Sequence, residues 1–193
     1  MNIVYILLAL ALWGLLHSLT ASHTFKDAVE KIFGAGFMRL YRLLYNGFAL
    51  VTFLPVMGLV AALPDKTLYM VPAPWMYLML AAQGLSILLL AIAFLQTDWL
   101  NFVGVRQIFE ADSKSELVIK GLYRVVRHPL YTFSLTFLWF NPLMTVNTLV
   151  FYLGATAYLI IGAMFEERKL LREFGEDYAA YKKSTAMLIP FLF

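Results

Sequence analysis

Cysteine is missing from this chain of 193 residues. Its absence excludes disulfides, thiolate metal sites and a cysteine nucleophile. Charge is scarce too: 14% of the residues are Asp, Glu, Lys or Arg, against 62% hydrophobic. With a mean hydropathy of +0.75, this composition belongs to a chain that meets lipid, not to a soluble domain. Strands alternating with helices are lacking, so a soluble Rossmann-type enzyme is excluded. The glycines in "GAG" (34–36) follow no strand and make no phosphate loop. No internal repeat or low-complexity linker interrupts the sequence, and its length reads as a single domain over 1–193. No nucleic-acid partner is expected.

No basic residue precedes the first apolar run, "MNIVYILLALALWGLLHSLTASH". A signal peptide needs a positive start and a shorter apolar core, so this run reads as a retained helix. Four apolar stretches, 3–21, 43–63, 75–95 and 143–165, approach or exceed the roughly 20 residues a helix needs to cross about 30 Å of hydrocarbon. A fifth, 131–140, is half that length before Asn141-Pro142 interrupts it. Proline cannot continue a helix ladder, so 131–165 reads as a helical hairpin joined by a tight turn. The expectation is an all-α integral membrane protein of five transmembrane helices, the last two forming the hairpin.

The fifteen basic residues orient that arrangement. Lys26, Lys31, Arg39 and Arg42 lie between the first and second stretches. Arg106, Lys114, Lys120, Arg124 and Arg127 lie between the third and the hairpin. Arg168, Lys169, Arg172, Lys182 and Lys183 follow the last stretch, while the alternate loops hold Lys66 alone. The positive-inside rule then predicts N-terminus out and C-terminus cytoplasmic. For a prokaryotic chain that means the inner membrane. In the tail, 166–174 should continue the last helix, Gly175 suits its C-terminal cap, and a short helix follows.

Three polar clusters invite chemistry. The first is in "GLYRVVRHPLYTF" (121–133): Arg124, Arg127 and His128. Juxtamembrane arginines commonly snorkel to anionic headgroups, and anchoring is the plainer reading of such a cluster alone. The His-Pro step argues for a site, because proline frees backbone groups and restricts the residue before it. The second is the pair Glu166 and Glu167. Two acids at the hydrocarbon edge are costly unless they meet a cation or water, and the arginine cluster sits at the same expected depth. Together they could hold a zwitterionic, cationic ligand. The third is "HSLTASH" (17–23). His17, His23 and His128 permit a metal or haem reading, but their spacing does not support one, and no metal is expected. Tyr178 and Tyr181, three apart on the tail helix, read as interfacial belt residues when taken alone.

In combination, "GLYRVVRHPLY", the hairpin, "EERKLLREFGEDYAAYKK" and "LIP" resemble the membrane methyltransferases that include isoprenylcysteine carboxyl methyltransferase and the phospholipid methyltransferases. The resemblance covers about 121–190. "LWGLLHSLTAS", "RLYRLLYN", "FVGVRQIF" and the segment from Asn141 to Arg168 further resemble the NnrU-like branch, which includes methanethiol S-methyltransferases. The resemblance implies an S-adenosylmethionine-dependent methyltransferase, of the S-methyl or carboxyl-methyl kind. Its cofactor half would be approximately 100–193, and it would act on a small-molecule or lipidic acceptor among membrane lipids. It assigns cofactor contacts to Tyr123, Arg127, His128, Pro129, Tyr131, Glu166, Glu167, Tyr178, Tyr181 and Pro190. Arg124 and Arg127 would serve the cofactor carboxylate or an anionic nucleophile, and His17 would line the acceptor cavity. The NnrU-like resemblance leaves open a non-catalytic membrane accessory protein in nitrogen-oxide or haem metabolism.

Overall fold

The computed structural model describes residues 2–109, 116–190 and 192. Lys114 of the charge count, and Phe191 and Phe193 of the tail, lie outside the described residues. The elements are α1 (Asn2–Ala21), α2 (His23–Phe33), α3 (Ala35–Ala62), β1 (Thr67–Met70), α4 (Trp75–Gln96), α5 (Trp99–Val103), α6 (Arg106–Phe109), a 3-10 turn (Gly121–Arg124), α7 (Pro129–Trp139), β2 (Leu143–Thr145) and α8 (Val146–Ser184). Among the described residues the all-α expectation holds but for one two-stranded sheet.

Among the described residues four helices, α1, α3, α4 and α8, are long and apolar enough to cross a membrane. In none of them is more than 17% of the apolar window buried within the protein. Helices apolar all round and left bare need a hydrocarbon surround. The expected fifth crossing is α7, whose 11 residues reach only about 16 Å at 1.5 Å per residue. Two of the long helices, α3 and α8, also outrun their apolar stretches. α3 begins at Ala35 and carries Arg39 and Arg42. α8 continues through the acidic pair to a break at Gly175 (φ 55, ψ −125), beyond which the short tail helix resumes.

The chain divides into two compact units, one formed by 1–66, 98–115 and 146–154, the other by 67–97, 116–145 and 155–193. In the first, α1 packs on α3. The indole of Trp13 donates to the Ala49 carbonyl (3.0 Å), and the Tyr41 hydroxyl donates to the Thr20 carbonyl (2.6 Å). Arg42 Nη1 donates to the carbonyl (2.9 Å) and Oδ1 (2.6 Å) of Asn101, while Asn46 Nδ2 reaches the Val103 carbonyl (2.8 Å). The loop after α5 turns beside α3 through Gly104 (φ 100), where a Cβ would lie 2.5 Å from the Leu43 amide nitrogen. Asp65 Oδ1 accepts from the Asn147 amide (3.0 Å) at the start of α8, satisfying one of the helix's orphan donors.

In the second unit α7 lies along α4. Gln83 Nε2 donates to the Phe137 carbonyl (2.8 Å) and, at the other end, Gln96 Oε1 accepts from the Leu122 amide (2.8 Å). β1, which precedes α4, pairs antiparallel with β2, which follows α7. The stretch from Gly121 through α7 therefore runs back along α4, although only its second part is α-helical. Asn141-Pro142 forms the expected turn, and the residues after it enter β2 before helix resumes. The pairing departs from the expected apolar helix over 143–165, whose first three residues form β2 and whose helix begins at Val146.

Candidate functional site

The site is built where the entry to α7 meets α8 and the tail, all within the second unit. Pro129 is the first residue of α7, with His128 as the N-cap residue (φ −123, ψ 64). Proline suits that position because its missing N–H would have no intrahelical partner. The residues just before it cannot use the helix ladder, and the tail supplies their partners. The Arg127 amide donates to the Ala186 carbonyl (2.8 Å) and the His128 amide to the Met187 carbonyl (3.2 Å). Thr132 Oγ1 donates to the Leu188 carbonyl (2.7 Å). The tail thus lies beside the RHP step as a short parallel pairing, Val126 opposite Ala186.

Arg127 and Glu167 meet at the centre of this arrangement. Arg127 Nε donates to Glu167 Oε1 at 2.6 Å, with side-chain exposures of 5% and 6%. The arginine Nη1 also donates to the carbonyls of Lys182 (3.1 Å) and Thr185. The same Glu167 Oε1 lies 3.2 Å from His128 Nε2 and accepts from the Tyr178 hydroxyl (3.0 Å). Its second oxygen meets Lys182 Nζ at 2.9 Å. A buried charge is tolerated only when paired and hydrogen-bonded, and Glu167 meets that condition through both oxygens.

Glu166 sits one residue earlier on α8, turned by about 100° around the helix. Its side chain is 44% exposed, with Oε2 3.6 Å from His128 Nδ1. The Tyr131 hydroxyl donates to that oxygen at 2.9 Å. The His128 ring stacks on Tyr131 at 5.5 Å between centroids and 8° between planes. His128 therefore bridges the two carboxylates, with one ring nitrogen toward each. Burial, then the charge of Glu166, then Tyr181 push the Tyr123 phenol above its ordinary range.

The structure gathers Tyr123, Arg127, His128, Pro129, Tyr131, Glu166, Glu167, Tyr178 and Tyr181 in one unit. Tyr178 and Tyr181 are buried rather than interfacial. The Tyr181 hydroxyl donates to the Tyr123 carbonyl, and the two tail tyrosines meet edge to face at 5.9 Å. Arg124 ends the 3-10 turn, exposed, and Pro190 is exposed in the turn after the tail pairing. His17 belongs to the first unit, with Nε2 2.6 Å from the Tyr45 hydroxyl and its ring stacked on Trp13. Among the described residues no three His, Asp or Glu side chains gather as a metal-holding group. Sequence reasoning missed Lys182, whose only sequence signal is a positive charge in the tail, and Thr132, which binds the tail through its hydroxyl.

A family model described as phospholipid methyltransferase matches residues 78–177. The chain is 40% identical over 110 residues to methanethiol S-methyltransferase 2 of Bradyrhizobium diazoefficiens, covering 53% of this chain and 42% of that enzyme. It is 40% identical over 110 residues to methanethiol S-methyltransferase of Pseudomonas deceptionensis, covering 54% of this chain and 42% of the other. With methanethiol S-methyltransferase of Mycobacterium tuberculosis it shares 42% identity over 69 residues, 36% of this chain and 28% of that one. The chain thus spans less than half the length of these relatives. No solved structure matches it. The family match takes in just over half of the chain, including the RHP step and both glutamates, and so the chain belongs to the phospholipid methyltransferase family.

Proposed function

We propose that this protein is a membrane-embedded methyltransferase that uses S-adenosylmethionine to methylate a small thiol or another hydrophobic nucleophile. The observation that carries this reading is the divergence of the two glutamates: Glu167 is consumed internally, while Glu166 presents a half-exposed carboxylate beside the His128–Tyr131 stack. An exposed anion next to a flat aromatic pair fits a ligand that carries an ammonium, a sulfonium and a ring. Glu166 would hold the cationic groups, His128 and Tyr131 would offer the aromatic surface, and Arg124, exposed nearby in sequence, would take the carboxylate. Arg127 acts as a brace, because its Nε and Nη1 are already engaged by protein groups.

When bound, S-adenosylmethionine supplies a methyl group on a positively charged sulfur. Joining it to a thiolate turns two opposite charges into neutral products, a change that a site poor in water favours. An arginine beside a thiol lowers its pKa from about 8.5 and so raises the thiolate fraction. The names of the relatives support a thiol acceptor. The same reading takes 131–140, the first arm of the hairpin, as the fifth crossing and puts the basic loops, Arg124 and Arg127 included, in the cytoplasm, with N-terminus out and C-terminus in.

The test is methyl transfer from labelled S-adenosylmethionine to a panel of thiols, prenylcysteines and phospholipids by the purified protein. The reading expects a labelled thioether from a small thiol. It fails if calorimetry finds no S-adenosylmethionine binding and no acceptor gains label.

A further inference from the structure

We propose that α2 lies flat in the membrane–water interface, with its apolar face inserted among the acyl chains of the adjoining leaflet. The observation is independent of any methyl-transfer chemistry. At 100° per residue, Phe25, Ala28, Val29, Ile32 and Phe33 of α2 fall within an arc of about 140°, and His23, Thr24, Lys26, Asp27, Glu30 and Lys31 occupy the rest. Such segregation is the mark of a helix at a boundary between apolar and aqueous phases. Among the described residues the apolar side is covered only in part: Phe25 and Val29 are half-buried and Phe33 meets the Phe37 ring of α3 at 5.0 Å, yet α2 has no buried residue, and Ile32 and Phe33 are 73% and 62% exposed.

Chain connectivity names the occupant. Ser22 alone separates α2 from α1, and Gly34 alone separates it from α3. Both neighbours are among the helices long and apolar enough to span, so α2 is held at the end of two crossings, where hydrocarbon meets headgroups. The corners are closed by hydrogen bonds. Ser22 Oγ accepts from the Phe25 amide (3.3 Å), and the Tyr41 hydroxyl of α3 donates to the Thr20 carbonyl of α1 (2.6 Å). The polar face carries Lys26 and Lys31 against Asp27 and Glu30, which balance. Attachment therefore comes from apolar burial and not from attraction to anionic headgroups, unlike a polybasic anchor.

The lack of native cysteine allows a clean test on the whole chain. Val29→Cys, Ile32→Cys and Phe33→Cys on one face, and Asp27→Cys and Glu30→Cys on the other, each carry a nitroxide label in reconstituted liposomes. Collision with oxygen, which concentrates in hydrocarbon, is compared with collision with a water-soluble nickel chelate. Oxygen should exceed nickel several-fold at Val29, Ile32 and Phe33, with the order reversed at Asp27 and Glu30. The pattern should be the same in phosphatidylcholine alone and in phosphatidylcholine with phosphatidylglycerol. Nickel exceeding oxygen at all five positions would put the helix in water and overturn the proposal. Low collision with both reagents at Val29, Ile32 and Phe33 would overturn it in favour of a protein partner or second copy. A pattern that appears only with phosphatidylglycerol would overturn the apolar account of the attachment.

Discussion

Arg127 and Glu167 form a buried ion pair at 2.6 Å, and three further side chains, His128, Tyr178 and Lys182, converge on the same carboxylate. Removing Glu167 leaves the Arg127 charge buried and uncompensated, which costs about 3–5 kcal/mol, whereas removing Arg127 leaves Glu167 still paired with Lys182 at 2.9 Å and costs less. Glu167→Ala should lower the free energy of SDS-driven unfolding in mixed micelles by that order, and Arg127→Ala should lower it by less, each with a lower midpoint. The double variant should lose less than the sum of the two. Wild-type midpoints for both single variants would show that the pair does not hold the tail to α7.

Glu166 separates ligand binding from stability. Its carboxylate is half exposed, so Glu166→Gln should leave unfolding within about 0.5 kcal/mol of wild type. A hydrogen bond to a charged group is worth about 1.5–3 kcal/mol, so affinity for S-adenosylmethionine should fall roughly ten- to hundred-fold by isothermal titration. Unaltered affinity would remove Glu166 from the proposed site.

Two glycines with positive φ should respond differently to alanine. At Gly175 (φ 55) a Cβ would meet nothing within 4 Å, so only backbone strain of about 1–3 kcal/mol is added. At Gly104 (φ 100) the new carbon would lie 2.5 Å from the Leu43 amide nitrogen and 2.9 Å from the Arg42 carbonyl carbon. Those atoms belong to the α3 backbone and cannot swing aside. Gly104→Ala should therefore be the more damaging of the two, read as unfolding midpoint and yield of folded protein.

The Tyr123 phenol is held above its ordinary range by burial, and then by the charge of Glu166 and by Tyr181. A group with a raised folded-state pKa contributes stability that is whole below the unfolded value, about 10, and is lost as pH rises toward the folded one. The difference in ultraviolet titration between wild type and Tyr123→Phe should show no phenolate from this position near pH 10. A phenolate with its midpoint at pH 10 would mean that Tyr123 is solvated.

Much of the architecture could be read from residue order, and for one reason. Hydrocarbon thickness demands long apolar runs, and α1, α4 and the apolar part of α8 begin or end within a residue or a few of the runs 3–21, 75–95 and 143–165. Gly175 marked the tail break because few other residues accept its backbone angles. The shortness of α7 was only half visible. Hydropathy counts apolar side chains, but Pro129 decides where the helix begins, and the residues ahead of it take their hydrogen bonds from the tail. The β1–β2 pairing joins segments far apart in the chain, and neither strand alternates in a way that would announce it.

The sequence by itself determined that this chain is built for a bilayer, and it carried the RHP step, the paired glutamates and the spaced tail tyrosines that mark its family. Those are properties of composition and order, and lipid enforces the first of them whatever the packing. Consecutive helix residues point about 100° apart, so Glu166 and Glu167 could never face the same way. Which of them turned inward was decided only by tertiary structure, where the entry to α7 and the tail close on α8. Arg127 then met Glu167, because a buried guanidinium and a buried carboxylate are tolerable only together, and Glu166 was left facing outward.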